Sequence, residues 1–280
     1  MALAKKLALH YIQTQLRVLS LLSGRKAAEK AFELFCTPQY RNKKTLPKIF
    51  EKAESLQFQF QDYKVQGYRW NGAAEKKVLI LHGFESSIVN FDHFVDPLVA
   101  KGYCVLGFDA PAHGRSSGKL INVLIYKAFV DELQRRYGPI KNFIAHSFGG
   151  LAISLALESW TGQEDYKAVL IAPATETSTA VDYLFKVLKL PSGLRVNFEE
   201  VILEKGAKPV SWFSIGRAAE NIKSQILWLH DKDDDITPLK DVEPVMQKGY
   251  SNFRFHITEG LGHRRIYRDK ALTAEIIAFL

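Results

Sequence analysis

Five short apolar runs set the limits on how this chain can fold: Val78 to Leu81, Tyr103 to Phe108, Phe143 to Ala145, Ala168 to Ile171 and Ile226 to Leu229. Runs of that length, apolar on successive rather than alternate residues, suit strands buried on both faces of a parallel sheet. Helical stretches separate most of them. The clearest holds Tyr126, Phe129, Val130, Leu133 and Tyr137 at helical spacing and is ended by Gly138-Pro139. Leu151 to Leu157 is apolar all round and reads as a buried helix. This alternation predicts an α/β fold with an open, mostly parallel central sheet covered by helices on both faces.

The flanking segments have a different rhythm. Leu56, Phe58 and Phe60 alternate with Gln57, Gln59 and Gln61, and a second extended run from Tyr63 to Trp70 ends at Asn71-Gly72, which predicts a β-hairpin. Further upstream, Ala28, Ala31, Phe32 and Phe35 form a helical stripe, and a less regular one precedes Gly24. Residues 1–50 therefore read as an N-terminal helical arm and residues 51–280 as the α/β domain. The arm's apolar face is expected to pack on that domain; the other use for it is peripheral contact with a membrane through Lys5, Lys6, Arg17 and Arg25. Roughly fifty residues lie between Ala172 and Lys223, where a single crossover helix would suffice. An insertion over about 173–222, with a helical run near Val181 to Leu190, is expected to form a cap.

A chain of 280 residues that is 47% hydrophobic can bury one substantial core. The net charge of +8 is scattered apart from Arg41, Lys43, Lys44 and Lys48, and no nucleic-acid-binding module accompanies it, so a small-molecule substrate is expected and no nucleic-acid partner. Cys36 and Cys104 form no C-x-x-C pair, and the N-terminus lacks the pattern of a cleaved signal, which together predict a reducing, cytoplasmic location. No segment is long and apolar enough to span a membrane.

The chemistry is expected at the ends of the strands. Ala145-His146-Ser147-Phe148-Gly149-Gly150 follows a strand and opens a buried helix, the setting of a nucleophile elbow. Ala145 and Gly149, two residues either side of Ser147, must be small for strand and helix to approach. In isolation Ser147 would read as a helix N-cap, and a small-x-Ser-x-Gly match arises by chance about 0.2 times in such a chain. Three further strand-end segments change that reading. After Leu81, His82-Gly83-Phe84 offers the Phe84 N–H, which with the Phe148 N–H can form an oxyanion hole. After Leu229 comes an acidic loop with Asp231, Asp233, Asp234 and Asp235, any of which could orient an imidazole. Before the last helix, Gly260-Leu261-Gly262-His263 presents a histidine that can act as base. The order Ser, Asp, His is the one that this fold, with its nucleophile elbow, demands. His10, His93, His146 and His256 read as structural, and Asp109 and His113 as fasteners of a loop. No metal-ligand spacing occurs and no phosphate-cradling loop follows the first parallel strand, so neither metal nor cofactor is expected.

Together with Asp109-Ala110-Pro111-Ala112-His113-Gly114-Arg115-Ser116, these motifs make the chain from Leu56 to Leu280 resemble the α/β-hydrolase superfamily. The resemblance implies the α/β-hydrolase fold and a serine hydrolase with a Ser147–Asp234–His263 triad. It is the resemblance that selects Asp234, which stands before x-hydrophobic-Thr-Pro. Ala145 stands where the family more often has Gly, and Ala112 where a Gly is common. The activity implied is cleavage of a carboxylic ester or thioester of a small to medium apolar acyl or aryl substrate through an acyl-enzyme. A serine aminopeptidase or amidase is the alternative on this scaffold, with Glu176, Asp182, Glu199 and Glu200 as candidate anchors for a substrate amine. A non-catalytic α/β-hydrolase-like binding protein is another.

Overall fold

The computed structural model describes residues 2–42 and 45–280, so Lys43 and Lys44 of the basic cluster lie outside the described residues, as does the side chain of Lys5. The chain opens with α1 (Ala2–Leu22) and α2 (Gly24–Cys36), then β1 (Glu54–Phe60), β2 (Tyr63–Trp70) and β3 (Lys77–Leu81). Next come α3 (Val95–Ala100), β4 (Cys104–Phe108), α4 (Val123–Tyr137), β5 (Asn142–His146), α5 (Phe148–Leu157) and β6 (Lys167–Ile171). The inserted segment holds α6 (Thr177–Leu188) and α7 (Leu194–Gly206). The remainder is α8 (Ile215–Ala218), β7 (Gln225–Asp231), α9 (Glu243–Gln247), β8 (Phe253–Thr258), α10 (Gly262–Arg265) and α11 (Lys270–Phe279). These elements fall into two compact units, one of Met1–Thr37 and Glu176–Ser214, the other of Pro38–Thr175 and Ile215–Leu280.

The larger unit is built on an eight-stranded sheet in the order β1-β2-β4-β3-β5-β6-β7-β8. β2 runs antiparallel to both β1 and β4, and every other pairing is parallel. Each of the five apolar runs read from the sequence is a strand of the parallel part, and Val78, Leu79 and Ile80 show why: all three are fully buried, so both faces of β3 are covered. α4 buries Tyr126, Phe129, Val130 and Leu133, is capped by the Asn122 side chain accepting from the Ile125 N–H, and stops at Gly138. In α5 every residue from Gly149 to Leu157 is buried.

In the smaller unit the arm's stripe finds its partner in the insertion. α2 packs along α7, with Phe32 and Phe35 against Phe198, whose ring also meets Phe185 of α6 edge-on. The sequence assigned this face to packing on residues 51–280, and within that span it meets the inserted segment, through α7, whose Leu194, Phe198, Val201 and Ile202 give it an apolar face of its own. That face is blurred in the sequence by exposed Val196 and Leu203 on the opposite side. The arm is two helices, broken at Ser23, whose hydroxyl accepts from the Lys26 N–H.

Candidate active site

β3, β5 and β7 all release the chain at the same edge of the sheet, as parallel strands must, and β5 lies directly beside β3. Ser147 follows β5 with φ 53 and ψ −119, a backbone conformation that non-glycine residues rarely adopt. Its neighbours hold it there. The Ser147 N–H donates to the Ile171 carbonyl (3.1 Å), and its own carbonyl accepts from the N–H groups of Gly150 (2.9 Å) and Ala174 (3.0 Å). A Cβ on Gly149 would sit 2.8 Å from the carbonyl oxygens of both Leu81 and His82, so α5 can start this close to β3 only with glycine there. Although Ser147 stands at the N-cap position, its side chain makes no capping hydrogen bond. The hydroxyl donates instead to His263 Nε2, at 3.0 Å.

The His263 ring is held from its other nitrogen, where Nδ1–H donates to Asp234 Oδ2 at 2.8 Å. Spacing alone left four aspartates open, and the structure separates them. Asp235 is exposed. Asp231 accepts from the Thr258 hydroxyl (2.6 Å) and the Leu261 N–H (3.0 Å), and Asp233 from the Gly260 N–H (2.8 Å), so both fasten the loop that carries His263. Asp234 is buried and faces the ring. Its Oδ1 accepts from the N–H groups of Ile236 (2.9 Å) and Thr237 (2.8 Å), and its Oδ2 also accepts from the Thr237 hydroxyl (2.8 Å). Burial alone would raise the Asp234 pKa, but the bond from His263 and those from Thr237 outweigh it and hold the carboxyl below its ordinary value. An ionised, fully bonded carboxylate therefore fixes which imidazole nitrogen carries the proton.

The His82-Gly83-Phe84 segment lies against the serine: a Cβ on Gly83 would come within 2.9 Å of Ser147 Cβ. Phe148 is the first residue of α5, so its N–H has no carbonyl one turn back to bond within the helix. The Phe84 and Phe148 rings meet edge-on at 5.8 Å. Phe84 belongs to a peptide unit that is held from behind. His82 Nδ1–H donates to the Gly83 carbonyl (2.8 Å), which shares a peptide group with the Phe84 N–H, while His82 Nε2 accepts from the Ala110 N–H (3.0 Å). One residue on, the Glu85 N–H donates to His113 Nε2 (3.0 Å). Burial keeps both imidazoles neutral, lowering His82 to about 4 and His113 to about 3, and neutrality is what lets each accept an N–H. Asp109 ties the same loops together, accepting from the N–H groups of Ile88 (3.1 Å) and Arg115 (2.8 Å).

His146 is the residue that sequence reasoning undervalued. Its neighbourhood to Ser147 is spatial as well as sequential: the ring centroid lies 4.7 Å from that of His263, and Nε2–H donates to the His263 carbonyl (3.1 Å). Thr237 was noticed only as part of a motif, yet its hydroxyl touches both Asp234 and, at 3.1 Å, His263 Nδ1. His93 donates to the Tyr267 carbonyl (2.7 Å) and His256 pairs with Glu275, both structural roles.

A sheet of this order, with a Ser-bearing turn after β5, an acidic loop after β7 and a histidine loop after β8, has the α/β-hydrolase fold class. Within that class, residues 72–208 match the family model described as serine aminopeptidase, S33; the span includes the Gly83 loop and Ser147 but ends before Asp234 and His263. The chain is 32% identical over 130 residues to the dihydrolipoyllysine-residue acetyltransferase component of the acetoin cleaving system of Cupriavidus necator, a match covering 44% of this chain and 34% of that one. It spans about a third of that relative's length. A second relative, the 2-hydroxy-6-oxononadienedioate/2-hydroxy-6-oxononatrienedioate hydrolase of Escherichia coli K12, is 23% identical, with 77% of this chain and 87% of that one covered. Among solved structures, an esterase of Pyrococcus furiosus superposes with a TM-score of 0.66 at 23% identity, covering 87% of this chain and 98% of the other.

Proposed function

We propose that the protein is a serine hydrolase that cleaves a carboxylic ester or thioester of a small to medium apolar acyl or aryl substrate. The reading rests on one observation: Ser147 Oγ, His263 and Asp234 form an unbroken relay of 3.0 and 2.8 Å contacts at a strained elbow. In this reading His263 Nε2 takes the Ser147 proton as the oxygen attacks the carbonyl carbon, and Asp234 stabilises the imidazolium without itself being protonated. The N–H groups of Phe84 and Phe148 receive the oxyanion. His263 then protonates the leaving alcohol or thiol, and after its departure takes a proton from water to release the acid from the acyl-enzyme. The aromatic rings of Phe84 and Phe148 beside the serine favour an apolar or aryl group on the substrate. The Pyrococcus furiosus esterase of like fold points the same way, and the Escherichia coli relative supports hydrolysis in the broader sense.

The matched family description favours a second reading, an aminopeptidase acting through the same three residues. Such an enzyme needs a carboxylate free to hold the substrate amine. Of the four candidates, three are engaged, Glu176 by the Ser214 hydroxyl and Asp182 and Glu199 by Arg195, while the exposed Glu200 is the carboxylate left to hold an amine. The free, buried Cys36 and Cys104 support a reducing, cytoplasmic location. The deciding experiment treats the purified chain with a fluorophosphonate and then compares p-nitrophenyl esters, acyl thioesters and aminoacyl amides as substrates. An adduct on Ser147, lost in Ser147→Ala and His263→Ala, with esters or thioesters turned over far faster than amides, is expected. Preferred turnover of aminoacyl amides would establish the second reading, and a folded chain that reacts with no probe would overturn both.

A further inference from the structure

Among the described residues no helix is long and apolar enough to cross a membrane, yet α1 carries a surface that water alone does not explain. One side of α1 is used inside its own unit, through Leu16, which is fully buried, and Gln13, whose amide donates to the Val187 carbonyl (2.8 Å). The opposite side presents Leu7, Tyr11, Val18, Leu21 and Leu22. At helical spacing these residues share one face, a ridge about 22 Å long made of two apolar groups, Leu7 with Tyr11 and Val18 with Leu21 and Leu22, separated by Thr14 and Gln15. All five are more than half exposed, and Leu21 and Leu22 are 82% and 80% exposed. Isolated exposed leucines are ordinary; five large apolar side chains aligned on one helix face, three of them together at its C-terminal end, make an interaction surface.

Charge identifies what it meets. α1 contains Lys5, Lys6 and Arg17 and no Asp or Glu, and the exposed Lys6 and Arg17 lie along one flank of the ridge, about a quarter turn from it. The first 37 residues hold six Lys and Arg against two Glu, and those two, Glu29 and Glu33, are paired with Arg25 and Lys30. We propose that this ridge docks the protein on an anionic membrane surface, with Leu7, Val18, Leu21 and Leu22 among the acyl chains, Tyr11 at the headgroup level, and Lys6 and Arg17 against acidic headgroups. A second copy of the chain is a poorer occupant. Two-fold pairing of antiparallel ridges would bring the cations of one copy near those of the other, and α1 has no carboxylate to meet them. The docking goes beyond the hydrolase reading and stands or falls independently of which bond is cleaved.

Co-sedimentation of the full chain with phosphatidylcholine vesicles, with and without phosphatidylglycerol, tests it. The protein is expected to partition onto the vesicles containing phosphatidylglycerol and only weakly onto phosphatidylcholine alone. A Leu21→Gln/Leu22→Gln variant, altered where the side chains touch solvent and so still folded by circular dichroism, should lose about ten-fold or more in partition coefficient. Lys6→Gln and Arg17→Gln should each lose about five-fold on the anionic vesicles alone. Absence of vesicle binding by the unaltered chain overturns the proposal, as does a ridge variant that binds as well as the original. A dimer in light scattering that the ridge variant dissolves, without vesicle binding, would assign the ridge to self-association instead.

Discussion

Asp234 Oδ2 receives two side-chain hydrogen bonds at once, from the His263 ring and the Thr237 hydroxyl, while Oδ1 takes two main-chain N–H groups. A neutral amide can keep this shape but must present an N–H to one of those donors, which favours the wrong imidazole tautomer. Asp234→Asn is therefore expected to lower kcat about 10⁴-fold on a p-nitrophenyl ester with little change in fold, while Asp235→Asn, in the exposed neighbour, should stay near the original rate; steady-state kinetics on the two variants decides it. Equal losses would mean that the loop rather than the carboxylate matters. The sequence carried much of this arrangement in its motifs, but four aspartates within five positions look alike in one dimension. Burial and direction separate them, and both depend on how Asp231 and Asp233 anchor the next loop. The same limit applied to His146, whose contact with His263 is created by β5 and the loop after β8 meeting, two segments 117 residues apart.

Strands and helices differed in how plainly they could be read. The parallel strands were legible because burial on both faces forces consecutive apolar residues, and β1 because one exposed face forces alternation. The insertion was harder: α7 puts Val196 and Leu203 in solvent, which hides the apolar face that meets α2. The contact between α5 and β3 could be anticipated only as a requirement for small residues, and the structure gives its tightness. Gly149→Ala would place a methyl group 2.8 Å from two carbonyl oxygens, too close for either element to keep its position. A loss of about 1–3 kcal/mol in urea unfolding is expected, with a fall in ester turnover as Ser147 shifts. A variant as stable and as active as the original would show that the elbow can relax without consequence.

At the scale of the whole molecule, imidazoles are buried uncharged around the site: His82 is held to about 4, His113 and His146 each to about 3, and His230 is also pushed below its ordinary value, desolvation being the largest cause in all four. The unfolded chain binds protons at these positions near pH 6.5, while the folded chain refuses them until much lower pH. Their contribution is thus intact above about pH 6.5 and declines as the pH falls toward the folded values, by up to about 1.4 kcal/mol per pH unit for each histidine. Denaturant unfolding at pH 7 and pH 5 should show a clear loss at the lower value, and a constant unfolding free energy would contradict this account. Neutrality here also serves the loop geometry, since a protonated His82 or His113 could no longer accept the N–H of Ala110 or Glu85.

The backbone angle at Ser147 has a cost beyond its immediate geometry. A non-glycine residue held at φ 53 gives up roughly 1–3 kcal/mol, against a total stability of about 5–15 kcal/mol for a typical domain. The Ser147 hydroxyl thus occupies one of the places where the polypeptide would gain most by relaxing, and the strands and carbonyls that surround it act as a clamp on a loaded spring. With Ser147 as the proposed nucleophile, selection for reactivity and selection for a durable fold pull in opposite directions at that single residue.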